Sequence, residues 1–188
     1  MSHIFLWLLN KIVLGGELEI WKLILVWLSI ARNSFGNPYW WDTYGQIATE
    51  ELYFEKKKYY PKYYEATDFA SQYGKRVFDC SGLIKGYLWA DDFVEEPRYN
   101  KLEDYNSSEF LELCKIKGDI YDLPEIYGLL LFFSGHVGVY IGDGKTIEAR
   151  GHDFGVVETR VIDRPWKKWG KLSLISYINV KNHHTFEV

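Results

Sequence analysis

A cysteine at the start of a helix and a histidine at the start of a strand are the residues of this chain best placed for chemistry. The cysteine lies in Phe78-Asp79-Cys80-Ser81-Gly82-Leu83-Ile84-Lys85-Gly86-Tyr87-Leu88-Trp89. Asp79 can cap a helix whose first residues are Cys80 and Ser81. Leu83, Ile84, Tyr87 and Leu88 then recur at helical spacing on one face. A thiol at a helix start sits in the positive end of the macrodipole, which favours the nucleophilic thiolate. A small cysteine buried on a core helix would present the same pattern. The histidine opens Gly135-His136-Val137-Gly138-Val139-Tyr140-Ile141, an alternating, β-branched run that reads as a strand. A cysteine, a histidine base and a polar group that orients the histidine make a nucleophilic triad.

The third group depends on how the strand turns back. Gly142-Asp143-Gly144 is a turn signal, and Thr146-Ile147-Glu148-Ala149-Arg150 reads as the return strand. A two-residue Asp143-Gly144 loop pairs Val139 with Glu148 and sends His136 to the opposite face. A three-residue loop, with Gly144 left-handed, pairs Gly138 with Glu148 and His136 with Arg150. Glu148 and His152 are then both diagonal neighbours of His136. A triad needs this second register. Arg150, on the same face, could instead pair with Glu148.

Asp79-Cys80-Ser81-Gly82, followed by Gly135-His136-Val137-Gly138-Val139-Tyr140-Ile141-Gly142, resembles the NlpC/P60 family of papain-like cell-wall cysteine peptidases, in forms from Gram-positive bacteria or their phages. Gly36-Asn37-Pro38-Tyr39-Trp40-Trp41 looks like the motif that opens that domain. The resemblance runs roughly from Leu25 to Tyr177. It implies Cys80 as nucleophile, His136 as general base and then general acid, and Glu148 as the residue that orients the imidazole. Many members carry histidine at the third place, so His152 stands as the rival, with a place lining the groove as its other role. Tyr39 and the N–H of Cys80 would stabilise the oxyanion. Asp79 and Ser81 would help bind the peptide. The implied substrate is the peptidoglycan stem peptide, cut at an amide, often after γ-D-glutamyl, through a thioester. An N-acetylmuramoyl-L-alanine amidase and a non-catalytic wall-binding or assembly protein are the alternatives. A papain-like acyltransferase is a weaker third, supported only by the apolar amino-terminal segment.

The elements that must position these residues follow from the rest of the chain. Its 188 residues suggest one domain with a real core. The order is helices first and antiparallel strands after, an α+β arrangement with N-terminal helices packed on a central antiparallel sheet. This agrees with the papain-like fold of the resemblance. The catalytic domain is expected over residues 25–180, with 1–24 an extension and 181–188 a tail carrying His183 and His184. Leu18 to Ala31 reads as a buried helix ended by Gly36 and Pro38. Residues 45–75 separate Tyr39 from Cys80 by more than compact members allow, so an insertion is expected there, helical around Ile47 to Glu55. Its Lys and Tyr residues read as a solvated helix end with tyrosines folded onto the domain, or else as a surface for anionic wall polymer. Ser107 to Lys117 reads as a helix holding a structural Cys114. Gly128 to Phe133 reads as a strand buried on both faces. Gly155 to Val161 follows as a strand, Arg164 to Gly170 as a Trp-rich turn, and Leu172 to Val180 as the last strand.

Composition excludes other classes. A net charge of −4 gives no footprint for nucleic acid. The apolar start is too short and broken for a membrane span, so no membrane partner is expected. It also lacks the basic start and cleavage site of a secretory signal. Action at the wall, outside the cytoplasm, would then need release by a phage holin or carriage in a larger machine. Two cysteines give no disulfide framework. The five histidines lack zinc-ligand spacing, and Asp91, Asp92, Glu95 and Glu96 match no calcium loop, so neither metal nor cofactor is expected.

Overall fold

The computed structural model describes residues 33–66, 68–90, 96–175 and 177. The expected extension, the Leu18–Ala31 helix, most of the acidic loop and the His183–His184 tail lie outside them.

Six antiparallel strands form the sheet, in the order β3-β8-β4-β5-β6-β7. They are β3 (Cys114–Asp119), β4 (Leu130–Phe133), β5 (His136–Gly142), β6 (Lys145–Ala149), β7 (Val156–Arg160) and β8 (Lys168–Leu172). The alternation of β4 and β5 divides their side chains between two cores. Leu130, Phe132, Val137 and Val139 face the helix α2 (Gly82–Trp89). Leu129, Leu131 and Tyr140 face the other way, against Trp166. The doubly buried run at 128–133 is therefore a central strand, as its unbroken hydrophobicity predicts.

Two expectations along the chain differ. The helix α3 (Ser107–Leu113) stops before Cys114, and Cys114–Asp119 is the edge strand β3. Its sequence has a strand reason to do so: Gly118 lies against the Trp169 indole, with no room for a Cβ. The last described strand is Lys168–Leu172, which begins inside the expected Trp-rich turn and ends where the final strand is expected to begin, because it inserts between β3 and β4 and bonds both. Such insertion leaves no local sequence signal.

The insertion is an ordered layer. A short ribbon of β1 (Tyr44–Ile47) and β2 (Arg76–Phe78) closes its base. Between them lies α1 (Glu50–Tyr59), capped by Thr49, whose hydroxyl accepts from Leu52 N at 3.1 Å. Trp40 is fully buried beneath it, with edge contacts to Tyr53, Tyr64 and Phe69. Its indole N–H donates to Gln72 at 2.7 Å. Of the tyrosines in the Lys- and Tyr-rich stretch, Tyr64 folds fully onto the domain and Tyr63 stacks on Trp41 at 3.9 Å, while Tyr59 stays exposed.

The start of α2 is locked to this layer. Asp79 N donates to Thr43 O at 2.9 Å, and a Cβ on Gly82 would stand 1.7 Å from that same carbonyl oxygen. Only glycine permits the approach, and backbone cannot swing aside as a flexible side chain can. Gly82→Ala is expected to cost about 3 kcal/mol. Thermal unfolding should register this as a Tm lower by about 6–12 °C. An unchanged Tm would mean the contact is loose.

Candidate active site

Asp79 starts the helix that carries the cysteine. Its carbonyl accepts from Leu83 N at 3.0 Å, and its carboxylate accepts from Gly82 N. These are the bonds of an N-cap, although regular helix begins only at Gly82. Cys80 is 9% exposed, and its Sγ lies 4.0 Å from Gly135 O, the carbonyl just before His136. The first turn of α2 and the start of β5 therefore meet at the sulfur.

The histidine and the acid are brought together by a bulge. Asp143 and Gly144 form a two-residue turn, both at positive φ (52° and 67°), closed by the pair Gly142 and Lys145. That turn alone would give the register that separates His136 from Glu148. One extra residue on β5 between Tyr140 and Gly142 shifts the pairing to Tyr140 with Thr146 and Val139 with Ile147. Continued along the strands, this sets Gly138 opposite Glu148 and His136 opposite Arg150. The register is the one a triad needs, but a bulge produces it rather than a longer loop. His136 Nε2 bonds Glu148 Oε2 at 2.7 Å. The other ring nitrogen, Nδ1, takes no part in that bond. Phe133 and Trp166 hold the imidazole by ring contacts at 4.9 and 5.7 Å.

The remaining named residues fall as follows. Strand β6 ends at Ala149, and Gly151, at φ 119°, turns the chain away. His152 leaves the face of His136 for that reason. Its Nε2 bonds Asp68 at 2.8 Å, and its ring lies on Phe69, at 4.7 Å. Arg150 rests over the Phe154 ring at 4.0 Å, not on Glu148. Tyr39 is half-buried and bridges to Phe78 in parallel. Asp79 gives one carboxylate oxygen to Ser81 and Gly82 and the other to Asp42 N, at 3.0 Å. Both its oxygens and the Ser81 hydroxyl are thereby engaged within the chain.

A family model described as the NlpC/P60 family matches residues 67–173. The chain belongs to the NlpC/P60 family. Among solved structures it is similar to the peptidoglycan hydrolase RipB from Mycobacterium tuberculosis, at 23% identity and a TM-score of 0.49, covering 82% of this chain and 65% of that one. It is also similar to the P60 domain of antigen MAP1204 from M. avium subspecies paratuberculosis, at 21% identity and a TM-score of 0.49, covering 82% and 96%. NlpC2 from Trichomonas vaginalis matches at 18% identity and a TM-score of 0.44, covering 77% and 46%. The chain thus spans just under two thirds of the RipB chain. No curated protein matches.

Burial is the largest single influence on Cys80, Tyr39 and Glu148 in this NlpC/P60 site. Burial, followed by the charge of Asp79, pushes the Cys80 thiol up to about 12, against backbone hydrogen bonds from Val137, Ser81 and Cys80 itself. The thiol is neutral at rest. Burial, followed by the charge of Asp79, raises the Tyr39 phenol, which keeps it a proton donor. Glu148 is fully buried. Burial alone would raise its carboxyl, but hydrogen bonds from His136, Arg164 and Thr159 outweigh burial and hold it at about 2. Among the described residues, no group of three or more His, Cys, Asp or Glu could hold a metal ion.

The depressed Glu148 pKa has a consequence for stability. Its contribution is fully present above the ordinary value of 4.5 and is lost as pH falls toward about 2. It amounts to about 3 kcal/mol. Urea denaturation of wild type should weaken by that much between pH 5 and 2, beyond what Glu148→Gln shows over the same range. Parallel curves for the two proteins would remove Glu148 as the cause.

Arg164 is the residue sequence reasoning missed. Its Nε donates to Glu148 Oε1 at 2.7 Å and its Nη2 to Oε2 at 2.9 Å. Thr159 Oγ1 adds a bond to Oε1 at 2.6 Å. Thr159 stands two residues from Val157, the cross-strand partner of Glu148, so a β6–β7 hairpin reading would have placed it. Arg164 lies beyond a short helical turn at Val161–Asp163, where no periodicity applies.

Proposed function

We propose that this protein is a peptidoglycan hydrolase, a cysteine endopeptidase that cuts an amide bond of the stem peptide through a thioester. The observation that carries the reading is the meeting of the Cys80 sulfur with the start of β5, where the imidazole of His136 is tied through Nε2 to Glu148. Membership of the NlpC/P60 family supports it, and the similar RipB structure is described as a peptidoglycan hydrolase.

Each step uses groups already described. The Cys80 thiol is neutral, so His136 Nδ1 takes its proton as the sulfur attacks the amide carbon. Tyr39 and the backbone N–H of Cys80 donate to the oxyanion. Glu148 stabilises the imidazolium, which then protonates the leaving amine. Water, activated by the same imidazole, hydrolyses the thioester. Cleavage after γ-D-glutamyl, and action outside the cytoplasm as a bacterial or phage lysin, are the finer parts of this proposal. Asp79 and Ser81 shape the peptide side of the groove through the backbone they tie down.

The test is mass spectrometry of purified peptidoglycan incubated with wild type and with Cys80→Ala. New stem-peptide fragments from wild type alone are expected, and their masses identify the bond. One observation favours a second reading, a non-catalytic wall-binding protein: the thiol is 9% exposed and pushed up to about 12. Under that reading Cys80 resists iodoacetamide at pH 7–8 and no wall type yields fragments. An amidase would instead release whole stem peptides from the glycan.

A further inference from the structure

We propose that Arg164 is a positioning residue for this reaction: its guanidinium clamps and neutralises the Glu148 carboxylate, so that His136 presents an unprotonated Nδ1 to the Cys80 thiol. The proposal rests on the hydrolase reading and adds a residue to its machinery.

The geometry is a fork. Two guanidinium nitrogens meet the two carboxylate oxygens at 2.7 and 2.9 Å, the planar arrangement that arginine makes and lysine cannot. Glu148 Oε2 is shared between Arg164 Nη2 and His136 Nε2. Oε1 is shared between Arg164 Nε and Thr159 Oγ1. The carboxylate therefore has four donors and one direction in which it can point. Arg164 is itself nearly buried, its side chain 15% exposed, with its cation 5.4 Å from the Phe133 ring. Phe133 also packs on His136, so the clamp and the base share a wall.

The chemical need for the clamp comes from the resting state. With the imidazole neutral, Glu148 would be a fully buried anion with only dipoles to answer it, a costly state. It would then take up a proton and donate to Nε2. The imidazole would be forced to carry its proton on Nδ1, where no thiol proton could be received. The guanidinium removes that pressure, so Nε2–H stays pointed at Oε2 throughout. During turnover the thiol proton moves from Sγ to Nδ1 and from there to the leaving amine. Neither Glu148 nor Arg164 gains or loses a proton.

The test compares Arg164→Met and Arg164→Lys with wild type in two assays. The first is wall-fragment release against pH. The second is the rate of Cys80 alkylation by iodoacetamide against pH, with no substrate present. Arg164→Met is expected to lower kcat about 100-fold with KM nearly unchanged. The acid limb of both profiles should move up by about one pH unit. Arg164→Lys, which keeps the charge without the fork, should recover part of the loss. In a Glu148→Gln background, Arg164→Met should add no more than about threefold, because its target charge is gone. Full additivity in that background, or an acid limb that does not move, overturns the proposal. Should Arg164→Met fail to fold, Arg164→Lys and the double variant, which removes both charges together, decide it. A wild type that releases no wall fragments yet is alkylated at Cys80 sinks the hydrolase reading and leaves the alkylation profiles to judge Arg164; one that also resists iodoacetamide overturns this proposal with it.

Discussion

Cys80→Ser is expected to abolish fragment release from peptidoglycan, by about 10⁴-fold or more, while the protein stays folded. The reason is the neutral, desolvated thiol. Sulfur can be activated here because His136 takes the proton as the bond forms, and a thiol gives up its proton far more readily than an alcohol. A serine hydroxyl at the same place meets the same imidazole and the same buried surroundings with a much less acidic proton. The fold should not notice. The backbone N–H groups around the sulfur can bond a hydroxyl oxygen as well, and its contact to Gly135 O is long, at 4.0 Å. The Asp79 cap, the Gly82 approach to Thr43 and the apolar face of α2 are all left in place. A change in Tm beyond about 4 °C would show that Cys80 is primarily a packing residue. Retained hydrolysis, with the protein folded, would end the triad model altogether.

What the sequence made legible were the pieces whose signals are local. The cysteine at a capped helix start, the alternating strand behind His136 and the apolar run of β4 each follow from a few adjacent residues. The spacing of Glu148 was legible too, but its route was not. The Asp143-Gly144 turn has the form that two positive-φ residues dictate. The bulge that corrects the register depends on how Tyr140, Glu125 and Tyr127 pack around the turn. Glu125 bonds the Tyr140 hydroxyl and Asp143 N, and Tyr127 fills the space beside Gly142. Those contacts join residues 15 and 18 apart, which no periodicity records. The position of β8 was illegible for the same reason: its partners are set by topology. The α3 helix ends short of Lys117 because Cys114–Asp119 pairs with β8 as an edge strand, and that partner lies about 50 residues away in the chain.

The insertion touches the site from an unexpected side. Lys56, buried in α1, bonds Asp42 at 2.7 Å, and Asp42 N bonds Asp79 in turn. On α2, Lys85 reaches Asp104 at 2.7 Å and adds its charge to the surroundings of Asp79. The segment between Tyr39 and Cys80 thus fixes the helix start that bears the thiol. Its second contact, Asp68 to His152, ties the loop after β6 to the same layer.

Glu148→Gln is expected to lower kcat by about 10²–10⁴-fold, and His152→Ala by no more than a few-fold. Glutamine keeps the volume but loses the charge that stabilises the imidazolium. It also brings an NH2 group into a place that now receives only donors: His136 Nε2, Thr159 Oγ1 and both nitrogens of Arg164. Whichever way the amide turns, a donor faces a donor. If the NH2 faces His136, the imidazole must accept through Nε2 and protonate Nδ1, the tautomer that cannot receive the thiol proton. Glutamine is the better probe than alanine, because alanine would leave Arg164 buried without its partner at a stability cost of about 3–5 kcal/mol. His152 has no such place. It bonds an exposed carboxylate in the insertion, and its loss removes that bond and the ring's packing on Phe69, both away from His136. The comparison is made as kcat and KM on the same wall fragments, with Tm measured for both variants. A larger loss in His152→Ala than in Glu148→Gln, at equal Tm, would transfer the orienting role to His152. It would also require the loop after Gly151 to swing onto the face of His136 when substrate binds.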